Sequence, residues 1–323
     1  MFEKKILKLR YCGFWPGFAF EKRLFHQIIS RHYEIDQKSA PDYVICGDWG
    51  TDHTLYDRCV KILITFENAT PNFNDYDYAV GFDHLEFGDR YVRVPYYAIC
   101  TPEFMSLALR KSGPSPELLD RKFCCFVVSN AKAGHPLRRR FFERLCQYKK
   151  VDSGGRWLNN IGGAVKDKIE FCRGYKFNIC FENSSHPGYV TEKLMHAYAA
   201  QTVPIYFGDP SVETDFNVGS MVRVRDESDV ERAVEEVVRL DNDAEAYMQV
   251  VTANCLAQED LSVFERRLEE FLLNIFEQPL SMAKRRCFYG YQKICRDHGL
   301  RVVAIDRWLR RRWNGIARLL KLA

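Results

Sequence analysis

Short apolar runs alternate with charged, helically periodic stretches through the first hundred residues. Ile6 to Tyr11 reads as a first strand, followed by a helical stretch from Glu21 to Arg31. YVICG (Tyr43 to Gly47) and KILITFEN (Lys61 to Asn68) are apolar, β-branched runs of strand length, and YAVGFD and YVRVPYYA continue the pattern. Strands alternating with helices predict a parallel α/β layer. KSGPSPELLDR (Lys111 to Arg121) interrupts the alternation with Gly, two Pro and charge, and predicts a linker. Beyond it the order resumes: strand KFCCFVVSN, helix Leu137 to Tyr148, turn VDSGGRW, strand YKFNICFEN, a helix from Val190 to Ala200 and strand TVPIYFG. Amphipathic helices at Ser228 to Leu240 and Leu261 to Phe276 complete a doubly wound, nucleotide-binding type of layer. The expected division is residues 1–118, residues 119–278 and a tail, 279–323.

The bulk numbers agree with two domains. The chain has 323 residues, 46% hydrophobic and 14% aromatic, enough for two cores and typical of ordinary globular proteins. No run approaches the ~18 apolar residues of a membrane span, and MFEKKILKLRYCGFW lacks the features of a signal peptide. The twelve cysteines are scattered without a CxxC, and several sit in apolar runs such as FCCFVV. They are expected to be reduced and buried, in a cytoplasmic protein, with no metal site.

Charge changes the picture of the tail. Residues 279–323 hold twelve Lys/Arg against Asp297 and Asp306, a charge of +10, which leaves −6 on residues 1–278. Ile305, Trp308, Leu309, Trp313, Ile316 and Leu320 recur at helical spacing, while Arg307, Arg310, Arg311, Arg318 and Lys321 fall largely elsewhere. A basic amphipathic helix of this kind fits an anionic membrane surface. The competing reading docks it on the chain's own acidic body. Nucleic acid is not expected, because no nucleic-acid module accompanies the basic tail.

Candidate chemistry gathers at strand ends. In FENSSHPGYVTEKL a strand ends, a polar loop follows, and Glu192 and Lys193 fall in the first turn of a helix. Helix N-termini attract anions, so a lysine there implies a compensating anion such as a diphosphate. Glu192 is placed to accept hydrogen bonds from hydroxyl groups. Ser129 and Asn130 end another strand, and Arg138, Arg139 and Arg140 open the helix after it. Successive helical positions diverge by ~100°, so one of these arginines points inward. Glu67, just past an apolar strand, is a candidate general base. Asp75-Tyr76-Asp77 is a DxD triplet, a weak sign of a metal-dependent transferase.

ENSSHPGYVTEKLMHAYAAQTVPIYFGDPSV closely resembles the signature of the alpha-1,3-fucosyltransferase family. FENATPNFN, YAVGFDHLEFGDRYVRVPYY, SNAKAGHPLRRRFFERL and VDSGGRWLNNIGG extend the similarity over most of residues 61–216, and FWPGF looks like a further family feature. The resemblance implies two Rossmann-like domains facing across a cleft (the glycosyltransferase B fold), and an inverting transferase that uses GDP-fucose without a metal. By motif, Glu67 resembles the catalytic base. Arg138 and Lys193 resemble the diphosphate-binding cations, with the choice among Arg138, Arg139 and Arg140 left open. Asn183, Tyr189 and Glu192, with Ser129 and Asn130, resemble further donor-site residues. The expected acceptor is O3 of N-acetylglucosamine in a glycan such as N-acetyllactosamine, at the inner face of the cell membrane. The alternative is a non-catalytic nucleotide-sugar-binding or membrane-associated protein of the same fold.

Overall fold

The computed structural model describes residues 4–100, 108–109, 113–130, 134–257 and 262–319, with side chains of the C-terminal helix described through Trp313. Lys111 and Ser112 of the expected linker and Ile316, Arg318, Leu320 and Lys321 of the tail pattern lie outside what is described.

Six strands form the first sheet: β1 (Lys5–Cys12), β2 (Tyr33–Asp36), β3 (Tyr43–Cys46), β4 (Val60–Ile64), β5 (Tyr78–Gly81) and β6 (Tyr91–Arg93). Their order is β2-β1-β3-β4-β5-β6. The N-terminal half of β1 pairs parallel with β2 and its C-terminal half parallel with β3. β3, β4 and β5 continue in parallel. Every residue of β3 and β4 is buried, as expected of strands covered on both faces, and Lys61 within β4 pairs with Asp57 at 3.1 Å. The helix Leu24–His32 buries Phe25, Ile28 and Ile29. Phe276, late in the helix Ser262–Glu277, sets its ring edge-on against Tyr33 and Tyr43.

The second sheet holds β7 (Lys122–Phe126), β8 (Val151–Ser153), β9 (Tyr175–Phe181), β10 (Val203–Phe207) and β11 (Val222–Arg223), in the order β11-β10-β9-β7-β8. All its pairings are parallel. The order reverses at β7, with β8 on one side and β9 on the other, as in doubly wound sheets. Gly155 follows β8 so closely against β7 that a Cβ would lie 1.9 Å from the Val128 carbonyl oxygen, so only glycine fits.

The chain divides into two compact units: Met1–Gly81, Glu86–Val92 and Glu269–Ala323 in one, Phe82–Leu85 and Arg93–Leu268 in the other. The expected boundaries are crossed by four stretches: 82–85 and 93–118 lie with the second unit, and 269–278 and 279–323 with the first. Residues 93–118 lie with the second unit because Arg93 pairs with Asp215 and donates to the Phe82 carbonyl, and Tyr97 packs on Phe216. Residues 279–323 belong to the first unit. Asp77, 0% exposed, accepts from the backbone N–H groups of Lys61, Arg285 and Arg286 and from Nε of Arg286, at 2.7–2.9 Å. Further along, Arg296 pairs with Asp57 at 2.6 Å and Arg307 donates to the Thr51 carbonyl.

The tail helix runs from Gly290 to Leu319. One apolar stripe of it is exposed: Val302, Ile305, Trp308, Leu309 and Trp313 are 52–72% exposed. The eleven described cysteines are free. Most are buried, but Cys287 and Cys295 are exposed, because the root of the tail leaves them on the surface.

Candidate active-site residues

In the first unit the chemistry lies at the C-terminal ends of β1, β3 and β4. The first two strands end at Cys12 and Cys46, and the backbone then crowds: a Cβ on Gly47 would lie 2.5 Å from the Gly13 oxygen, and Gly13 has φ +72°. Glycine is needed at both positions. Gly47 N–H donates to the Cys12 carbonyl and Trp49 N–H to the Gly13 carbonyl, at 2.9 and 2.8 Å. These bonds fix Asp48, whose Oδ2 accepts from the N–H of Phe66 and, at 3.2 Å, of Glu67. Burial pushes the Asp48 carboxyl up, against the pull of those two N–H groups.

Glu67 sits in the turn after β4 and is exposed. Its carbonyl accepts from Thr65 Oγ1 at 3.2 Å and from Ala69 N–H at 2.7 Å. The preceding Phe66 is held among Phe14, Trp15 and Phe18, with ring centroids 5.8–6.0 Å away. FWPGF therefore buttresses the turn that presents Glu67. The DxD triplet offers no open pair of carboxylates, since Asp77 is enclosed by its four donors and Asp75 accepts from Asn72 Nδ2 at 2.7 Å.

In the second unit the groups converge at the end of β9. Of the three consecutive arginines, Arg138 points inward and is 1% exposed. Its Nε and Nη2 donate to the Phe181 carbonyl and Nη2 also to Asn183 Oδ1, at 2.6–3.1 Å. Burial lowers its pKa, and the Glu182, Tyr189 and Glu192 charges pull the other way. Arg139 pairs with Glu143 and Arg140 with Glu227 on the surface, as the ~100° step per residue requires.

The helix Glu192–Ala199 begins just after Thr191. Lys193 Nζ donates to Glu182 Oε2 at 2.9 Å and to Thr191 Oγ1 at 2.8 Å, with Glu192 Oε1 at 3.6 Å. The anion that compensates this lysine is therefore already inside the protein: Glu182, 0% exposed, which also accepts from the N–H and Oγ1 of Thr191. Burial disfavours the Lys193 charge, but Glu182 and Glu192 outweigh it and raise its pKa. Burial likewise opposes the Glu192 charge, yet Lys193 and Lys168 hold its pKa down to about 2.

Tyr189 is 2% exposed, its ring 5.1 Å from Phe82. Ser129 and Asn130 are exposed at the end of β7, where Ser129 Oγ accepts from Arg156 N–H. Arg138, Asn183, Glu192 and Lys193 are thus drawn together around the end of β9, Tyr189 is buried in the loop that follows that strand, and Ser129 and Asn130 lie just past the end of β7.

Two family models match successive stretches of the chain. The model of the alpha-(1,3)-fucosyltransferase FucT N-terminal domain matches residues 9–100, and that of glycosyltransferase family 10 (fucosyltransferase) C-terminal region matches residues 119–252. A crystal structure of alpha1,3-fucosyltransferase with GDP superposes with a TM-score of 0.73 at 31% identity, over 85% of this chain and 91% of that one. The chain belongs to the alpha-1,3-fucosyltransferase family. Another crystal structure, with GDP-fucose, gives a TM-score of 0.68 at 30% identity, over 83% and 91% of the two chains. Among curated relatives, the alpha-(1,3)-fucosyltransferase FucT of Helicobacter pylori is 34% identical over 290 residues, 77% of this chain and 60% of the relative. Human alpha-(1,3)-fucosyltransferase 7 is 36% identical over 100 residues, 30% of this chain and 29% of the relative. The chain thus spans about three-fifths of the Helicobacter pylori relative's length and less of the human one's.

Within this family frame, three groups stand out that sequence reasoning did not single out. Glu182 and Thr191 hold Lys193, and the signal was a carboxylate placed directly after the apolar strand β9. Asp48 holds the Glu67 turn across 19 residues, which no local pattern reveals. His186 Nε2 meets Asp83 Oδ1 at 2.6 Å, tying the loop before Tyr189 to the segment Phe82–Leu85 across 103 residues.

Proposed function

We propose that the protein is an inverting alpha-1,3-fucosyltransferase that moves L-fucose from GDP-β-L-fucose to O3 of N-acetylglucosamine in a glycan, without a metal. The observation that carries the donor is the convergence of Arg138, Lys193 and a helix N-terminus at the end of β9, within the stretch matched by the family model. The structure matched with GDP-fucose at 30% identity supports it.

The chemistry follows from charge. The acceptor oxygen attacks the anomeric carbon as the bond to the β-phosphate breaks, through an oxocarbenium-like transition state. Negative charge grows on the departing GDP. Arg138, Lys193 and the first N–H groups of the helix Glu192–Ala199 stabilise it, a preorganised arrangement that takes the place of a metal ion. Glu67 takes the proton of the attacking hydroxyl. Glu192 keeps its charge throughout the pH range of such an assay and accepts hydroxyl hydrogens of the donor. Asn183, Tyr189, Ser129 and Asn130 complete the donor site.

Lys193→Ala is expected to weaken GDP binding about 10- to 100-fold, the worth of a hydrogen bond to a charged group, read by titration calorimetry. It is also expected to lower the melting temperature, because Glu182 loses its cation. GDP affinity equal to that of the unaltered protein removes Lys193 from the donor site.

The function itself is tested by incubating the full chain with GDP-fucose and a panel of type 1 and type 2 disaccharides in excess EDTA, with NMR linkage analysis. A fucose on O3 of the type 2 N-acetylglucosamine is expected. Activity lost in EDTA and restored by Mn²⁺ sinks the metal-free mechanism. GDP-fucose binding without transfer or hydrolysis supports the non-catalytic alternative. For the exposed apolar stripe and the arginines of the tail helix, we propose anionic lipid at the inner face of the cell membrane as the partner.

A further inference from the structure

Trp49 is 53% exposed, an uncommon state for so large a ring. Its backbone, by contrast, is firmly held. Trp49 N–H donates to the Gly13 carbonyl, and a Cβ on Gly13 would lie 3.0 Å from the Trp49 oxygen. Gly50, at φ +79°, then turns the chain away into open space. The neighbouring Asp48, one Cα step or about 3.8 Å along, holds the N–H groups of Phe66 and Glu67. A fixed backbone thus leaves an exposed indole one residue from the carboxylate that holds the Glu67 turn. The exposed Trp308 of the tail, by contrast, lies under Arg312 in a basic helix.

An indole offers an apolar face and one N–H donor, a match for the C–H-rich face and rim hydroxyls of a pyranose ring. Ligand sites characteristically combine aromatic surface with a few oriented polar groups. We infer that Trp49 is the aromatic platform of the acceptor subsite, stacking on a hexopyranose of the acceptor glycan beside Glu67. This rests on the fucosyl-transfer reading above, with Glu67 as base. Trp49 sets acceptor affinity and takes no part in donor binding.

The test is steady-state kinetics of the full chain with GDP-fucose and N-acetyllactosamine, alongside GDP-fucose hydrolysis without acceptor. Trp49→Ala is expected to raise the acceptor KM about 10-fold, equivalent to about 1.4 kcal/mol, and to leave donor KM and donor hydrolysis unchanged. Trp49→Phe is expected to recover most of the acceptor affinity, and Trp308→Ala to leave it unaltered. An unchanged acceptor KM in Trp49→Ala overturns the assignment, as does a parallel loss of donor hydrolysis in both Trp49 variants. Absence of transfer and hydrolysis by the unaltered protein overturns the fucosyl-transfer reading and this inference with it. Normal turnover with an indifferent Trp49→Ala overturns this inference alone.

Discussion

Glu67→Gln is expected to lower kcat for fucose transfer by about 10²- to 10⁴-fold, the range that a positioned base contributes, with the GDP-fucose dissociation constant unchanged. The argument begins with the turn. Asp48 holds the backbone N–H groups of Phe66 and Glu67, and Phe66 is wedged among Phe14, Trp15 and Phe18. The Glu67 side chain itself is exposed, so glutamine fits there without strain and leaves the turn intact. What it removes is the lone pair that accepts a proton. Donor binding, proposed for the second unit, has no reason to change. Single-turnover rates together with calorimetric GDP-fucose binding check both halves. Normal turnover by Glu67→Gln sinks the base assignment, and a loss of donor affinity equal to the loss of rate shows a structural fault.

Much of this arrangement was legible in the sequence, and the remainder was hidden for physical reasons. The strands were plain because β3 and β10 are apolar throughout, as strands covered on both faces are. The inward arginine followed from helical geometry, which allows one of three consecutive residues to face the sheet, although only the structure identifies it as Arg138. Lys193 was legible as a charge out of place at a helix start. Its partner was not, because Glu182 is eleven residues away and becomes adjacent only when the loop folds back. Asp77 shows the same limit. In the sequence it belongs to a metal-like triplet, yet its carboxylate is closed by residues more than two hundred positions along the chain. Local pattern reports which residues are buried or charged, and long-range pairing decides what their charges meet.

That pairing makes the tail two things, and truncation is expected to separate them. A chain ending at Lys284 loses the backbone N–H groups of Arg285 and Arg286 and Nε of Arg286, three of the four donors on Asp77. Asp77 is fully buried and would keep only the Lys61 N–H. Stripping a buried carboxylate of its cation costs about 3–5 kcal/mol, a large part of the 5–15 kcal/mol that typically holds a domain together. The melting temperature is expected to fall by roughly 10 °C or more. A chain ending at Tyr289 keeps both arginines and loses only the helix from Gly290 onward. Its surface pairs, Arg296 with Asp57 and Arg307 with Thr51, are worth at most about 1 kcal/mol each. It is expected to melt within a few degrees of the full chain and to keep its transferase activity in solution, but to stop sedimenting with vesicles that contain phosphatidylserine. Calorimetry of the two truncations settles the first half: if the chain ending at Lys284 melts like the one ending at Tyr289, the Asp77 clasp contributes little. Sedimentation settles the second: if the chain ending at Tyr289 still binds vesicles, the exposed stripe of Val302, Ile305, Trp308, Leu309 and Trp313 is not the membrane contact. The two readings of the tail drawn from its charge are then compatible, because its root binds the acidic body through Asp77 while its outer face remains free for lipid.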